Sequence, residues 1–518
     1  MTEWGKKYKF NSIKDYDDFY KLHPITEYND YSDYIYKISA KRQNVLSKKD
    51  VIYFAKTSGT TGKPKIIPVT SEMKRYGMSN IGPIIMYNVY KGTNGKSKTL
   101  HRVLGLYYGL NNIGSIKDIN SGAVVCHLRP DRLYKFGVTP PGGFLIAHEK
   151  SALHVHAVFA LRDKDIGEIN ALFASTVYYF WKYLDEHWEL VCSDINNGIL
   201  NENLLIDDKI RKELNSQLSP NRKRALEIKS IFNGPREELA KRIWPNLIAV
   251  KMITSGTFSI YYKAMKKIYM KNIDTYSLIH SCNECHIGIG AELAPDSCVY
   301  ILNANYAFFE FIHEKDAVIN RLIPILPSDV TIGENYEVVV TNNSGLYRYR
   351  TGDLITIVSK KPYFTYKLLN RRQSVLNVKG RFLSENTILE IVELTAIRLN
   401  KIIIDTILIP NIRKSTIVEN YYYSSLPHYI LFIELIDGGN LTREEKLMFD
   451  IELRKSFNVY DKLRQNDEMD KINVICTRKN TFNNLRQILK QENNMAFKMP
   501  RLELEREDII QFLIENRQ

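Results

Sequence analysis

Three short stretches of this 518-residue chain combine residue types that could do chemistry. The first is Thr57-Ser58-Gly59-Thr60-Thr61-Gly62-Lys63-Pro64-Lys65. Its glycines let successive backbone N–H groups converge on an anion, and its hydroxyls add donors. Lys65, with Lys63 beside it, can neutralise phosphate charge. It is not a Walker loop, because its glycines lie three apart and Pro64 follows Lys63. The second stretch, Cys282-Asn283-Glu284-Cys285-His286, matches the haem-attachment spacing C-x-x-C-H. Neither an export signal nor a second C-x-x-C accompanies it, so the match reads as coincidence. The third is Leu346-Tyr347-Arg348-Tyr349-Arg350-Thr351-Gly352-Asp353-Leu354. An aspartate at a glycine turn can accept hydrogen bonds from two vicinal hydroxyls, which suits a ribose.

The surrounding pattern says how these stretches are positioned. Val51–Ala55 and Ile66–Val69 flank the first one, predicting a hairpin with the loop at its tip. Leu247–Ile253 reads as a buried strand closing on Thr254-Ser255-Gly256-Thr257. Thr275–His280 repeats the pattern and runs into the Cys-Asn-Glu-Cys turn. Small-residue turns at strand ends are where open α/β sheets bind ligands, so the hairpin and both turns are expected to share one crevice. Plain connections remain the alternative. Apolar residues three and four apart predict one long helix from Gly167 to Asn196, stopped by Asn197-Gly198. Residues 1–50 read as short helices, 203–243 as charged helices ending at Trp244-Pro245-Asn246, and Tyr429–Leu435 as a strand. His154 and His156 would share a side if extended, but without a third ligand they read as core or surface histidines.

Bulk properties narrow the classes. The chain is too long for one core, and its 44% hydrophobic and 25% charged content is ordinary for a soluble globular protein. No apolar run approaches the ~18 residues that span a bilayer, and Met1–Lys7 is polar, so a cytoplasmic protein with no membrane partner is expected. The net charge of +14 is spread along the chain without a basic tail, which argues against nucleic acid. Six cysteines in this length do not make a disulfide framework.

Taken together, the motifs resemble the adenylate-forming ligases, with Tyr349-Arg350-Thr351-Gly352-Asp353 nearly verbatim as that superfamily's signature. Within it, the chain resembles the Gretchen Hagen acyl-acid amido synthetases, as a microbial member. Phe173-Ala174-Ser175, Glu186-His187-Trp188, Trp244-Pro245-Asn246, Thr254-Ser255-Gly256, Asn283-Glu284-Cys285, Tyr306–Phe311 and Phe497-Lys498-Met499-Pro500-Arg501 occur in the family's order. Asn283 departs from it, standing where a serine is usual.

The resemblance implies an α/β fold. Residues 1–369 would form a large ATP- and acyl-acid-binding domain of sheets packed with helices, plus a small β-barrel. Residues 370–518 would form a smaller, mobile α+β domain. It also implies ATP and Mg²⁺ as cofactors, a carboxylic acid and an amino acid as substrates, and a monomer. By the same carry-over, Ser58, Gly59, Thr60, Thr61, Gly62 and Lys65 would hold phosphates. Ser255, Gly256 and Asn283 would border the nucleotide, and Glu284 would be the catalytic carboxylate that carries Mg²⁺. Asp353 would grip the ribose with Arg371 or Arg372 in support, and Lys498 would be the catalytic lysine. Transfer of the acyl group to a thiol instead of an amine stays open at this point.

Overall fold

The computed structural model describes residues 1–56, 65–95, 102–110, 114–116, 119–122, 130–293, 298–372, 375–378, 381–411, 426–490, 497–502 and 506–518. The chain divides into two compact units, Met1–Ser255 with Met265–Leu369, and Gly256–Ala264 with Asn370–Gln518. The second unit thus includes a short internal segment that a division at residue 369 does not anticipate.

The first unit opens with short helices, among them α1 (Glu3–Lys7), α2 (Tyr16–Leu22) and α3 (Tyr28–Ser39). Thr2 and Asp15 cap the first two through side-chain oxygens, and a Glu27/Asp30 capping box starts the third. The hairpin follows as β1 (Val51–Lys56) and β2 (Ile66–Thr70), antiparallel as predicted. β3 (Arg102–Leu106), β4 (Gly114–Ile116) and β5 (Ile119–Gly122) come next, and β5 and β4 complete the hairpin's sheet.

The long helix predicted from Gly167 is corrected here. Residues Ile166–Phe173 form a strand, β6, and the helix occupies only Ala174–Asn197, ending at Gly198. Ile166, Ile169, Ala171 and Phe173 are buried while Glu168, Asn170 and Leu172 are partly exposed, a strand's alternation that overlaps the helical spacing of the same apolar residues. β6 pairs in parallel with β3 and with β7 (Ala249–Ile253), and β8 (Asp274–Ser277) completes that sheet. The preceding helix, Glu149–Arg162, buries both His154 and His156. They are helical, not extended, and bond to different partners: His154 to Asp194 and Tyr183, His156 to Thr139 and the Tyr107 carbonyl.

A mixed sheet then gathers β9 (Ile279–Ser281), β10 (His286–Gly290), β11 (Val299–Leu302), β12 (Phe308–His313), β13 (Pro324–Ile325), β14 (Asn335–Thr341), β15 (Tyr349–Ser359) and β16 (Thr365–Arg371). Its order is β13-β12-β14-β15-β16-β11-β10-β9. It curls until a β9 side chain reaches β15 across three intervening strands, which makes it the barrel-like part of the fold. Its inner face and the β1–β2 hairpin share one core with Trp4 and Tyr31.

The N-terminal helices brace this sheet. Arg348 and Arg350 of the third stretch are buried, paired with Glu310 and Glu337 respectively, while Thr26 bridges to Tyr349. His23 accepts from the Trp4 indole N–H at Nε2 and donates from Nδ1 to the Pro24 carbonyl, each at 2.8 Å. Only the neutral ring can do both. Burial, with Arg348 nearby, pushes its pKa down to about 4.

Between about pH 6.5 and 4 the unfolded histidine binds a proton that the folded one refuses, so His23's contribution is present above pH 6.5 and lost as pH falls towards 4. His156 and His286, also held at about 4 by burial, act in the same direction. We expect His23→Gln, which keeps an acceptor and a donor without titrating, to reduce the slope of stability against pH in this window by about one proton. Denaturant melts at half-unit pH steps would read it, and an unchanged slope would exclude the role.

The second unit contains the hairpin of β17 (Val375–Val378) and β18 (Arg381–Ser384). A three-stranded sheet of β19 (Ile403–Asn411), β20 (His428–Leu435) and β21 (Asn473–Cys476) follows, with helices such as Thr481–Lys490 and Glu507–Glu515 sharing its core. Among the described residues, no helix is long and apolar enough to cross a membrane.

Candidate active site

In the first unit, the carboxyl ends of the parallel strands supply hydroxyls. Ser255, just beyond β7, lies 3.1 Å from the Tyr300 hydroxyl, and Ser277, ending β8, lies 2.8 Å from it. Tyr300 stacks on Tyr366, with ring centroids 5.8 Å apart. Burial pushes both phenols well above their usual range, so both keep their protons.

Asp353, on β15, is buried. Its Oδ2 lies 3.1 Å from His280 Nε2, and Nδ1 of that ring lies 3.0 Å from the Tyr366 hydroxyl. Gly352 before it has φ +78°, a left-handed conformation with open space beside it, so backbone angle is what glycine supplies there. The Asp353 N–H donates to Thr351 Oγ1 at 3.1 Å; the glycine turn expected here is an irregularity of the β14–β15 register within one strand.

Glu284 sits in the turn between β9 and β10, buried, with Oε1 accepting from the Tyr349 hydroxyl at 3.1 Å. Its carbonyl accepts from Asn342 Nδ2 at 2.7 Å. The neighbouring Cys285 thiol is pushed well up by burial and, further, by the charges of Glu284 and Asp353. One buried group therefore feels both carboxylates. Cys282 and Cys285 exchange backbone hydrogen bonds of 2.9 and 3.3 Å in a tight turn, Cys285 faces the core, and His286 bonds to Ser281. That is a structural turn.

Asn283 is half-buried in the same turn. Lys65, leading into β2, holds its ammonium 5.4 Å from the Tyr28 ring. Ser58, Gly59, Thr60, Thr61 and Gly62 lie outside the described residues.

Family models match most of the chain: the GH3 family N-terminal domain over residues 1–273, its central domain over 300–367 and its C-terminal domain over 411–507. The chain belongs to the GH3 family. The indole-3-acetic acid-amido synthetase GH3.17 of Arabidopsis thaliana is 28% identical over 450 residues, covering 80% of this chain and 72% of that protein. Jasmonoyl–L-amino acid synthetase JAR4 of Nicotiana attenuata is 24% identical over 378 residues, covering 69% and 63%. The solved structure of a GH3.15 acyl acid amido synthetase matches with TM-score 0.85 at 22% identity, covering 100% of this chain and 91% of that one. The fold is therefore the α/β architecture of that enzyme.

The remaining candidates of this GH3 chain fall in the second unit. Gly256 has φ +59°, and Arg371 is exposed at the end of β16. Arg372 follows it, half-buried. Lys498 places its ammonium 5.8 Å from the Phe258 ring. Around it the backbone is tied down: Thr257 donates to the Met499 carbonyl at 3.1 Å, and Arg501 donates to Thr257 and to Asp405. Burial raises the Glu385 carboxyl, and the charges of Arg501, Lys498 and Arg371 pull it back.

The geometry adds residues that the spacing of motifs did not single out: His280, Tyr366, Tyr300 and Ser277. The available signal was modest, a histidine four positions before Glu284 at the end of an apolar strand.

Proposed function

We propose that this chain is an ATP-dependent, AMP-forming acid–amino acid ligase. The observation that carries the reading is that buried Glu284, in the β9–β10 turn of a GH3-family chain, hydrogen-bonds to Tyr349 on β15, the same strand that carries buried Asp353. A carboxylate is a poor acyl donor because its leaving group would be oxide. Its oxygen attacks the α-phosphorus of ATP, the bond to pyrophosphate breaks, and an acyl-adenylate forms. A neutral amine of an amino acid then attacks the acyl carbon, AMP leaves, and the amine loses its proton as the amide forms.

The chain's own residues bind and orient. Asp353 accepts from the ribose hydroxyls, with Arg371 or Arg372 in support. Ser255, Gly256 and Asn283 border the nucleotide, and Ser58, Gly59, Thr60, Thr61, Gly62 and Lys65 hold phosphates. Glu284 is a hard oxygen donor suited to Mg²⁺, buried and with its Oε1 accepting from the Tyr349 hydroxyl. That fits a cation held by one carboxylate and by substrate phosphates. Mg²⁺ there would neutralise phosphate charge. We place the enzyme in the cytoplasm as a monomer. Its Lys-, Asn-, Ile- and Tyr-rich composition leans to a microbial source, whereas the relatives named above are plant enzymes.

The test is pyrophosphate release from ATP and Mg²⁺ across aromatic and aliphatic acids, with pooled amino acids or coenzyme A as acceptor. Release should require an acid, the product should be an amide, and Asp353→Ala should lower ATP-dependent turnover roughly 10–150-fold, the loss of charge-assisted hydrogen bonds of about 1.5–3 kcal/mol. A thioester product would replace the amine step. Absence of ATP binding would overturn the reading.

A further inference from the structure

We propose that His280 is the positioning residue for the Asp353 carboxylate in ribose recognition, held for that task by Tyr366 over Gly288. The inference rests on reading Asp353 as the ribose ligand. His280 ends up almost wholly inside the curled sheet, with each ring nitrogen facing a polar partner: Nε2 to Asp353 Oδ2 at 3.1 Å and Nδ1 to the Tyr366 hydroxyl at 3.0 Å. A single neutral tautomer satisfies both contacts, Nε2–H donating to the carboxylate and Nδ1 accepting from the phenol. Tyr366 is suited to donate, since burial keeps its proton on.

Gly288 explains how the phenol is accommodated. A Cβ at that position would stand 2.1 Å from the Tyr366 hydroxyl and 2.9 Å from its Cζ, so a side chain at 288 would displace the group that orients the histidine. Tyr300 walls the other side, its ring 5.7 Å from His280, and its hydroxyl is fixed by Ser255 and Ser277. The strand end beside the nucleotide and the ribose carboxylate are thereby joined through three rings. A carboxylate free to rotate would lose affinity in being ordered by the sugar; one already held by a buried donor is preorganised for it.

Calorimetric titration with ATP and with 2′,3′-dideoxy-ATP tests this on the full chain. The ratio of the two affinities isolates the ribose hydroxyls, while dideoxy-ATP affinity alone reports that each variant is folded. The wild type should favour ATP roughly 10–150-fold, and Asp353→Ala should erase that preference. His280→Phe should bring the ratio to within about threefold of Asp353→Ala. His280→Gln, whose amide can still donate to the carboxylate, should retain most of it. In every variant dideoxy-ATP should bind within about twofold of wild type.

A wild-type ratio in His280→Phe would overturn the proposal and leave the histidine a packing residue. A wild-type ratio in Asp353→Ala would instead overturn the ribose reading, and the proposal with it. If His280→Phe does not fold, Tyr366→Phe carries the test, since it removes one oxygen. A ratio reduced about threefold or more supports the positioning chain, and an unchanged one overturns it.

Discussion

Arg348→Ala is expected to destabilise the first unit by about 3–5 kcal/mol, because it strands a buried carboxylate. The Arg348 side chain is 3% exposed and its partner Glu310 is 1% exposed, so neither charge can fall back on water. The guanidinium meets Glu310 through Nε at 3.0 Å and NH2 at 2.9 Å, and donates its other arm to the carbonyls of Tyr20 and His23 at 3.1 and 2.6 Å. Tyr16 adds a hydrogen bond to the same carboxylate. One side chain therefore fastens α2 and the turn after it to β12. It does so from a backbone position with φ +48°, which a non-glycine residue keeps only where its surroundings insist on it.

The measurement is the guanidinium midpoint of the first unit at constant m-value. The companion variant Arg348→Met with Glu310→Leu should recover most of the loss, since removing both charges costs far less than removing one. If the single variant costs under about 1 kcal/mol, the pair is not the brace. Recovery in the double variant would separate a lost ion pair from lost packing.

That brace marks where the sequence was readable and where it was not. The run from Leu346 to Asp353 drew attention to a carboxylate beside a glycine, which is local information, and the structure places both within β15. Nothing local says that its two arginines turn to Glu310 and Glu337, because those acids lie on other strands and their pairing is a product of sheet order. The hairpin of β1 and β2 was legible from alternation and a glycine-rich tip. The start of the helix at Ala174 was not, because Ile169 and Phe173 satisfy a strand's period and a helix's equally well. The same limit hid His280. Its meaning comes from the curl that carries β9 to β15, and curl is set by long-range pairing that no window of sequence contains.

Lys498→Ala is expected to slow acyl-adenylate formation by about 10²–10³-fold, the cost of removing one preorganised charge from a transition state, roughly 2.7–4 kcal/mol. Arg501 is fully buried and ties the Thr257 carbonyl and hydroxyl to Asp405 and the Thr406 carbonyl, and Thr257 in turn binds the Met499 carbonyl. The backbone around residue 498 is thus fixed by its neighbours, and truncating the lysine should leave the second unit folded. The half-buried ammonium lies 5.8 Å from the Phe258 ring and helps to hold down the Glu385 carboxyl, and we propose a further use of its charge in the reaction. In the proposed reaction that use is the negative charge that builds on the phosphates as pyrophosphate departs. Transfer from a supplied acyl-adenylate to the amine builds one charge, on the departing AMP, and releases no pyrophosphate, so the variant should lose much less rate in that second step. Single-turnover assays of the two steps decide the matter. Equal losses in both would mean that Lys498 supports structure, and no loss in either would make it a surface residue. A selective loss in the first step, partly restored in Lys498→Arg, would assign the charge to phosphate transfer.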